Sequence, residues 1–339
     1  MPVIRIEDIA HVRFAAPDLA AMRAFLGDFG LTCFEADGRL YGKGGDGRPF
    51  VHVTEPGAAA FLALGLRAAS PADLAILAAH EGVPVEALNE PGGGQIVRLT
   101  DPDGYRVEVI AGQDTAPAAP PPADLPRNSA ATKPRQRAAV RLDAAPAHVH
   151  RIGHAVLKVR DFRRSEAWYK QRFGLLTSDE VEAAKDVPLG AFMRCDLGDR
   201  PADHHTLFLA QLPGAPGLLH AAFEVANLDD LMLGHQHLKA AGRQAAWGVG
   251  RHIMGSQVFD YWKDPFGNEL EHWTDGDLFT AADPPQKQPM RALLAVQWGS
   301  PHPMFAGKMA PPPRLISFVT ALILRFKRLL RRQPKGLNP

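Results

Sequence analysis

The sequence repeats itself, and the repeat limits the folds open to it. Ile9-Ala10-His11-Val12 recurs as Ile152-Gly153-His154-Ala155, and Asp101-Pro102-Asp103-Gly104-Tyr105-Arg106-Val107-Glu108 recurs as Asp264-Pro265-Phe266-Gly267-Asn268-Glu269-Leu270-Glu271. In both copies a glutamate follows the aspartate of the turn at the same distance. Two segments that share a first strand and a last hairpin share an architecture, so duplication is the economical account.

Within the first copy the apolar pattern switches between strand and helix periods. Asp8 to Phe14 reads as a strand with His11 and Arg13 on one face. Pro17-Asp18 starts a helix in which Leu19, Met22, Phe25 and Leu26 recur at helical spacing. Short strands expected over 31–35, 40–43 and 50–54 complete a βαβββ unit. The unit restarts with a strand over 58–67, a helix opening at Ser70-Pro71-Ala72-Asp73, and strands over 83–88, 94–99 and 105–110. Residues 113–148 are rich in Ala and Pro, carry a basic run from Lys133 to Arg141 and show no apolar periodicity, which marks a linker or an extended arm. The pattern then returns, with strands expected over 152–159, 191–197, 204–212 and 218–225, helices over 161–173 and 227–241, and a closing stretch from Gly250 to Trp273. The expected fold is α+β with two domains, each made of paired βαβββ modules. The divisions are 1–112, a linker 113–148, a second domain 149–280 and a Pro-rich tail 281–339.

Composition removes several function classes. The 38 basic and 37 acidic side chains leave a formal charge of +1, so nucleic acid is not an expected partner. Cys33 and Cys195 are far apart and in no zinc-type spacing, which argues against a disulfide framework or a thiolate metal site. Any metal must be held by nitrogen and oxygen. The first ten residues show no basic region followed by an apolar core, so no secretory leader is expected and the cytoplasm is the expected location.

The two copies act as controls for one another, because a structural role should survive in both whereas a chemical role can survive in one. The shared Asp-Leu of the following helix (Asp73-Leu74 and Asp230-Leu231) aligns His220 with Ala63. The first half keeps His11 and Glu108 without a third ligand, while the second has His154, His220 and Glu271. Two histidines and one carboxylate form the facial triad that suits non-haem Fe(II), with positions left open for substrate and dioxygen. His205 lies on a neighbouring strand that can point into the same barrel.

In these residues the chain resembles the type I extradiol ring-cleavage dioxygenases of the vicinal oxygen chelate superfamily. That family's C-terminal signature, a His followed by a Tyr-containing Pro-x-Gly turn and the ligand Glu, reads here as His252, Tyr261-Trp262-Lys263-Asp264-Pro265-Phe266-Gly267 and Glu271. Asp260 departs from the pattern, where an apolar residue usually precedes the Tyr. The resemblance implies the vicinal oxygen chelate fold, Fe(II) with Mn(II) as the alternative ion, and dioxygen as co-substrate. It implies cleavage of a catechol-type or trihydroxylated aromatic next to its diol, with His252 and Tyr261 assisting deprotonation and His205 as acid–base group. A homo-oligomer is expected. The rivals are a glyoxalase-type metal isomerase or lyase, and a non-catalytic small-molecule binding protein.

Other polar residues have plainer expected roles. His235 and His237 read as structural or solvated, Cys195 as a small buried group, and His272 as a residue that could flank the pocket. Trp247, Phe192, Asp260 and Trp262 are candidates for shaping it. The tail closes with a basic amphipathic stripe over 314–332, whose apolar run is too short to span a bilayer. Packing on the barrel or a neighbouring subunit is favoured there over peripheral contact with an anionic membrane.

Overall fold

The computed structural model describes residues 1–123, 125–293 and 295–303, so the basic stripe at 314–332 lies outside the described residues. Two mixed sheets carry the chain, one of eight strands within the first 111 residues and one of ten strands from Val149 onward. Their plans match. In the first sheet, strand Ile6–Ala16 pairs parallel with His52–Pro56 and antiparallel with Ala60–Ala68, which in turn pairs parallel with Arg106–Ala111. In the second, Val149–Lys158 pairs parallel with Leu207–Ala210 and antiparallel with Gly217–Val225, which pairs parallel with Glu269–Thr274. Each sheet is therefore two βαβββ units joined through their first strands. Among the described residues no helix is long and apolar enough to cross a membrane.

Local chemistry explains the elements. The four long helices start at Asp18, Ser70, Asp161 and Asn227, whose side chains each accept a hydrogen bond from a backbone N–H in the first turn. Each helix then buries one face, as Leu19–Asp28 does with Met22, Phe25 and Leu26. The repeated Asp-Pro-x-Gly turns have a structural cause too. Asp264 Oδ1 accepts from the backbone N–H groups of Phe266 and Asn268, Asp101 Oδ1 from those of Asp103 and Tyr105, and Gly267 and Gly104 take φ of +91° and +95°.

The structure differs from the expected elements in several places: the strand expected over 83–88 is only Glu86–Ala87, and the one expected over 204–212 runs Leu207–Ala210, which leaves His204 and His205 in the loop before it. The strand expected over 191–197 begins earlier and runs Val187–Arg194, paired with a strand Leu176–Ala184 that the sequence pattern did not suggest. A further strand, Gln244–His252, precedes the last hairpin. Finally, residues expected to be irregular supply edge strands at both ends of the second sheet: Gln286–Pro289 beside Leu176–Ala184 and Val296–Gly299 beside Gln244–His252. The linker runs extended along the first sheet's loops, with Asp114, Ala116 and Ala119 donating to the carbonyls of Gly92, Gly47 and Gly45.

The halves meet through buried contacts. His272 Nε2 donates to the carbonyl of Phe29 at 2.7 Å, with the two rings stacked 3.8 Å apart, and Arg243 pairs with Asp28. His272 therefore serves the contact between halves and is not among the cavity-lining residues.

Candidate metal centre

Pairing register builds the site. His154 faces Ala222 across one strand pair, Ala222 faces Glu271 across the next, and Glu271 faces Tyr261 across the last. His220 lies two residues before Ala222, so strand alternation returns it to the same face. The ligand atoms of His154, His220 and Glu271 lie within 4.8 Å of one another. His154 Nε2 and His220 Nε2 stand 3.2 and 3.3 Å from Glu271 Oε2.

These residues suit a metal ion. Cis ligands that share an ion at roughly 2.1 Å lie about 3 Å apart, close to the separations present here. Moreover, His220 Nε2 and Glu271 Oε1 are buried without a hydrogen-bond partner. Unsatisfied buried polar atoms are costly, and here they converge on one point. Electrostatics agree with a neutral His154 beside an ionised Glu271. Burial pushes His154 down to about 4 against the opposing pull of Glu271. Burial also opposes ionisation of Glu271, but the contacts from His154, His220 and His252 outweigh it and hold the carboxyl well below its ordinary range.

The three expected chemical groups gather round the same point. The His205 ring lies 4.0 Å from that of His154, and burial with His154 and His204 nearby keeps it far below the usual histidine range. Tyr261 packs edge-on against His220 at 5.1 Å, and its hydroxyl lies 3.0 Å from His252 Nε2. Burial, and then Glu271, pushes the Tyr261 phenol well above its ordinary value, so it stays protonated. Five of the six line a cavity of about 600 Å³, and the sixth, Glu271, is fully buried behind them.

Of the residues expected to shape this cavity, Phe192 and Trp247 line it. Asp260 and Trp262 do not, because strand alternation turns them from Tyr261 to the opposite face. There Asp260 holds His235 Nδ1 at 3.1 Å and Trp262 Nε1 at 2.5 Å, which also gives His235 a structural role. Cys195 is buried with its thiol beside Thr206, and burial raises it. Sequence reasoning missed Met254, Leu219 and the tail residues Ala292, Leu293 and Pro303 as lining groups. It also missed Asp179 and the link from His204 to His205. Only the doubled histidine hinted at that link.

Residues 151–272 match the family model described as the Glyoxalase/Bleomycin resistance protein/Dioxygenase superfamily. Metapyrocatechase 2 of Cupriavidus necator is 30% identical over 313 residues, which cover 88% of this chain and 91% of that protein. Biphenyl-2,3-diol 1,2-dioxygenase of Paraburkholderia xenovorans is 32% identical over 124 residues, 36% of this chain and 40% of that one. Among solved structures, the Mn(II)-bound glyoxalase of Novosphingobium aromaticivorans superposes with a TM-score of 0.72 at 24% identity, covering 91% of this chain and 96% of that one. A variant of homoprotocatechuate 2,3-dioxygenase from B. fuscum gives 0.69 at 19% identity, covering 85% and 77%. These structural likenesses bear on the fold alone.

Proposed function

The chain belongs to the extradiol ring-cleavage dioxygenases of the glyoxalase/bleomycin resistance protein/dioxygenase superfamily, and from that membership we propose that it opens the ring of a catechol-type aromatic next to its diol, using dioxygen. His154, His220 and Glu271 are proposed to hold Fe(II), with Mn(II) as the alternative ion, inside a domain spanning 149–280. The observation that carries this reading is the convergence of their ligand atoms beside a cavity that His154, His220, His205, His252 and Tyr261 line.

Bound there, Fe(II) would supply the Lewis acidity that favours an ionised catechol and the redox capacity that dioxygen chemistry requires. The chain's own residues supply the rest. The His252 and Tyr261 pair can accept a hydrogen bond from a catechol hydroxyl and relieve it of a proton. His205, neutral and beside His154, can give or take a proton at a second position on the substrate. Phe192 and Phe208, stacked 4.0 Å apart, with Val156 and Leu219, give the ring an apolar wall that excludes water.

The cavity also bears on substrate class. Away from the proposed metal ligands, its charged lining groups among the described residues are Lys263 and Glu269, which lie 3.8 Å from each other. An uncharged ring substituent fits this wall better than a carboxylate. Anaerobic loading with Fe(II), followed by a panel of catechols and trihydroxybenzenes with oxygen uptake and absorbance recorded, tests the reading. A glyoxalase-type isomerase would instead turn over a hemithioacetal without consuming oxygen.

A further inference from the structure

His205 does not stand alone. Its Nδ1 lies 3.1 Å from Nδ1 of His204, whose Nε2 lies 2.7 Å from Asp179 Oδ2. Gln288, on the tail's edge strand, donates to the other Asp179 oxygen at 3.2 Å. Asp179, His204 and His205 are all buried. His205 lines the cavity and His204 does not, so the chain of contacts leads away from the reaction space into the protein.

We infer that Asp179 and His204 are positioning residues that fix the tautomer and orientation of His205, presenting its Nε2 lone pair to the cavity. The inference rests on the reading of His205 as the acid–base group. The logic is a count of protons. A carboxylate only accepts, so His204 Nε2 carries a hydrogen. The Nδ1 of a neutral His204 is then bare, and the facing Nδ1 of His205 must supply the hydrogen between them. A neutral His205 with its proton on Nδ1 has its lone pair on Nε2. A hydrogen bond to one ring nitrogen sets what the other can do.

The first half provides a control. Phe34 faces Tyr41 as Asp179 faces Phe192, and both Tyr41 and Phe192 adjoin the strand that follows. On that strand, His52 pairs with Val12 as Leu207 pairs with Ala155, which sets Phe50 at the position of His205 and Pro49 at that of His204. All three members are therefore replaced together, by Phe34, Pro49 and Phe50, in the half that has no third metal ligand. The loop around Gly255 is shaped to the His204 ring as well. Gly255 has φ of +73°, and a Cβ there would lie 2.9 Å from His204 Nδ1.

The test is a long-range 1H–15N NMR spectrum of metal-free full-length protein labelled at histidine, with His205 assigned by loss of its signals in His205→Phe. We expect the Nδ1–H tautomer at His205 in the wild type and a mixture of tautomers in His204→Phe. With Fe(II) restored, His204→Phe should bind iron, hold KM within about threefold and lower kcat by about tenfold, the scale of losses when supporting partners are removed. His204→Gln, whose amide can accept from His205 and donate to Asp179, should recover most of that loss. An Nε2–H tautomer in the wild type overturns the inference, as does an unchanged His205 tautomer in His204→Phe. The wild-type spectrum decides the matter even if His204→Phe does not fold. Because it needs neither metal nor turnover, failure to find a ring-cleaved substrate would leave its result standing.

Discussion

Arg13 donates from its Nε to Glu108 Oε2 at 3.1 Å, deep inside the first half, where its other nitrogens also reach Glu55 and Glu90. Glu108 is the counterpart of Glu271, and His11, 2.8 Å from the same oxygen, is the counterpart of His154. Ala63 faces Arg13 where His220 faces Val156. The half that lacks the third ligand thus carries a permanent guanidinium beside its carboxylate. Burial opposes ionisation of Glu108, but His11 and then Arg13 and Arg106 outweigh it and hold the carboxyl far below its ordinary range. That carboxylate charge is balanced from within the first half.

Metal content should therefore be one ion per chain. Fe(II) loading followed by metal analysis should give that ratio for the wild type and almost none for His220→Ala. Two ions per chain would place a functioning site in the first half and contradict this division.

Removing the internal cation should be expensive. Arg13→Ala removes a buried cation shared by Glu55, Glu90 and Glu108 and leaves Glu108 to His11 and Arg106, and breaking a buried pair from one side typically costs about 3–5 kcal/mol. Urea denaturation should register a loss of that size, and the variant should still bind a single ion.

Much of this was legible in the sequence because register follows from repetition. The Asp-Leu shared by the following helices, Asp73-Leu74 and Asp230-Leu231, set His220 at the place of Ala63, and the paired strands keep that alignment. Which side Asp260 faces was equally open to reading, since it alternates with Tyr261, but its charge drew attention instead. The rest was hidden for physical reasons. Leu176–Ala184 alternates polar and charged side chains with few large apolar ones, and Gln244–His252 is rich in Ala and Gly, so neither shows a strand's hydrophobic signature. Asp179 sits on the first of these. Its link to His204 therefore required the fold, as did the return of the tail to both edges of the sheet.

Acid should destabilise the first half through His52. Burial, and then His11, lowers this histidine to about 3 from an ordinary 6.5. Between those values the unfolded chain binds a proton that the folded one refuses. Stability is full above pH 6.5 and falls by about 1.4 kcal/mol per unit as the pH drops toward 3. His52→Gln should flatten the pH dependence of unfolding by that slope, measured on metal-free protein. An unchanged slope would mean that His52 is protonated in the fold.

Substrate preference should follow the cavity wall. Alkyl- or aryl-substituted catechols should exceed carboxylated ones in kcat/KM by at least about tenfold, since burying a carboxylate against Phe192 and Phe208 leaves it without a matched cation. Steady-state oxygen uptake across the two series checks this, and a preference for the acids would point to a cation that the apolar wall does not supply.

The most direct measurement is turnover under heavy-isotope dioxygen, with the ring-opened product analysed by mass. Protein loaded with Fe(II) at His154, His220 and Glu271 should consume one dioxygen per catechol and place both heavy atoms in the product, and His220→Ala should do neither. Iron-loaded wild type that consumes no dioxygen with any diol, or that yields a product without the label, would contradict the account.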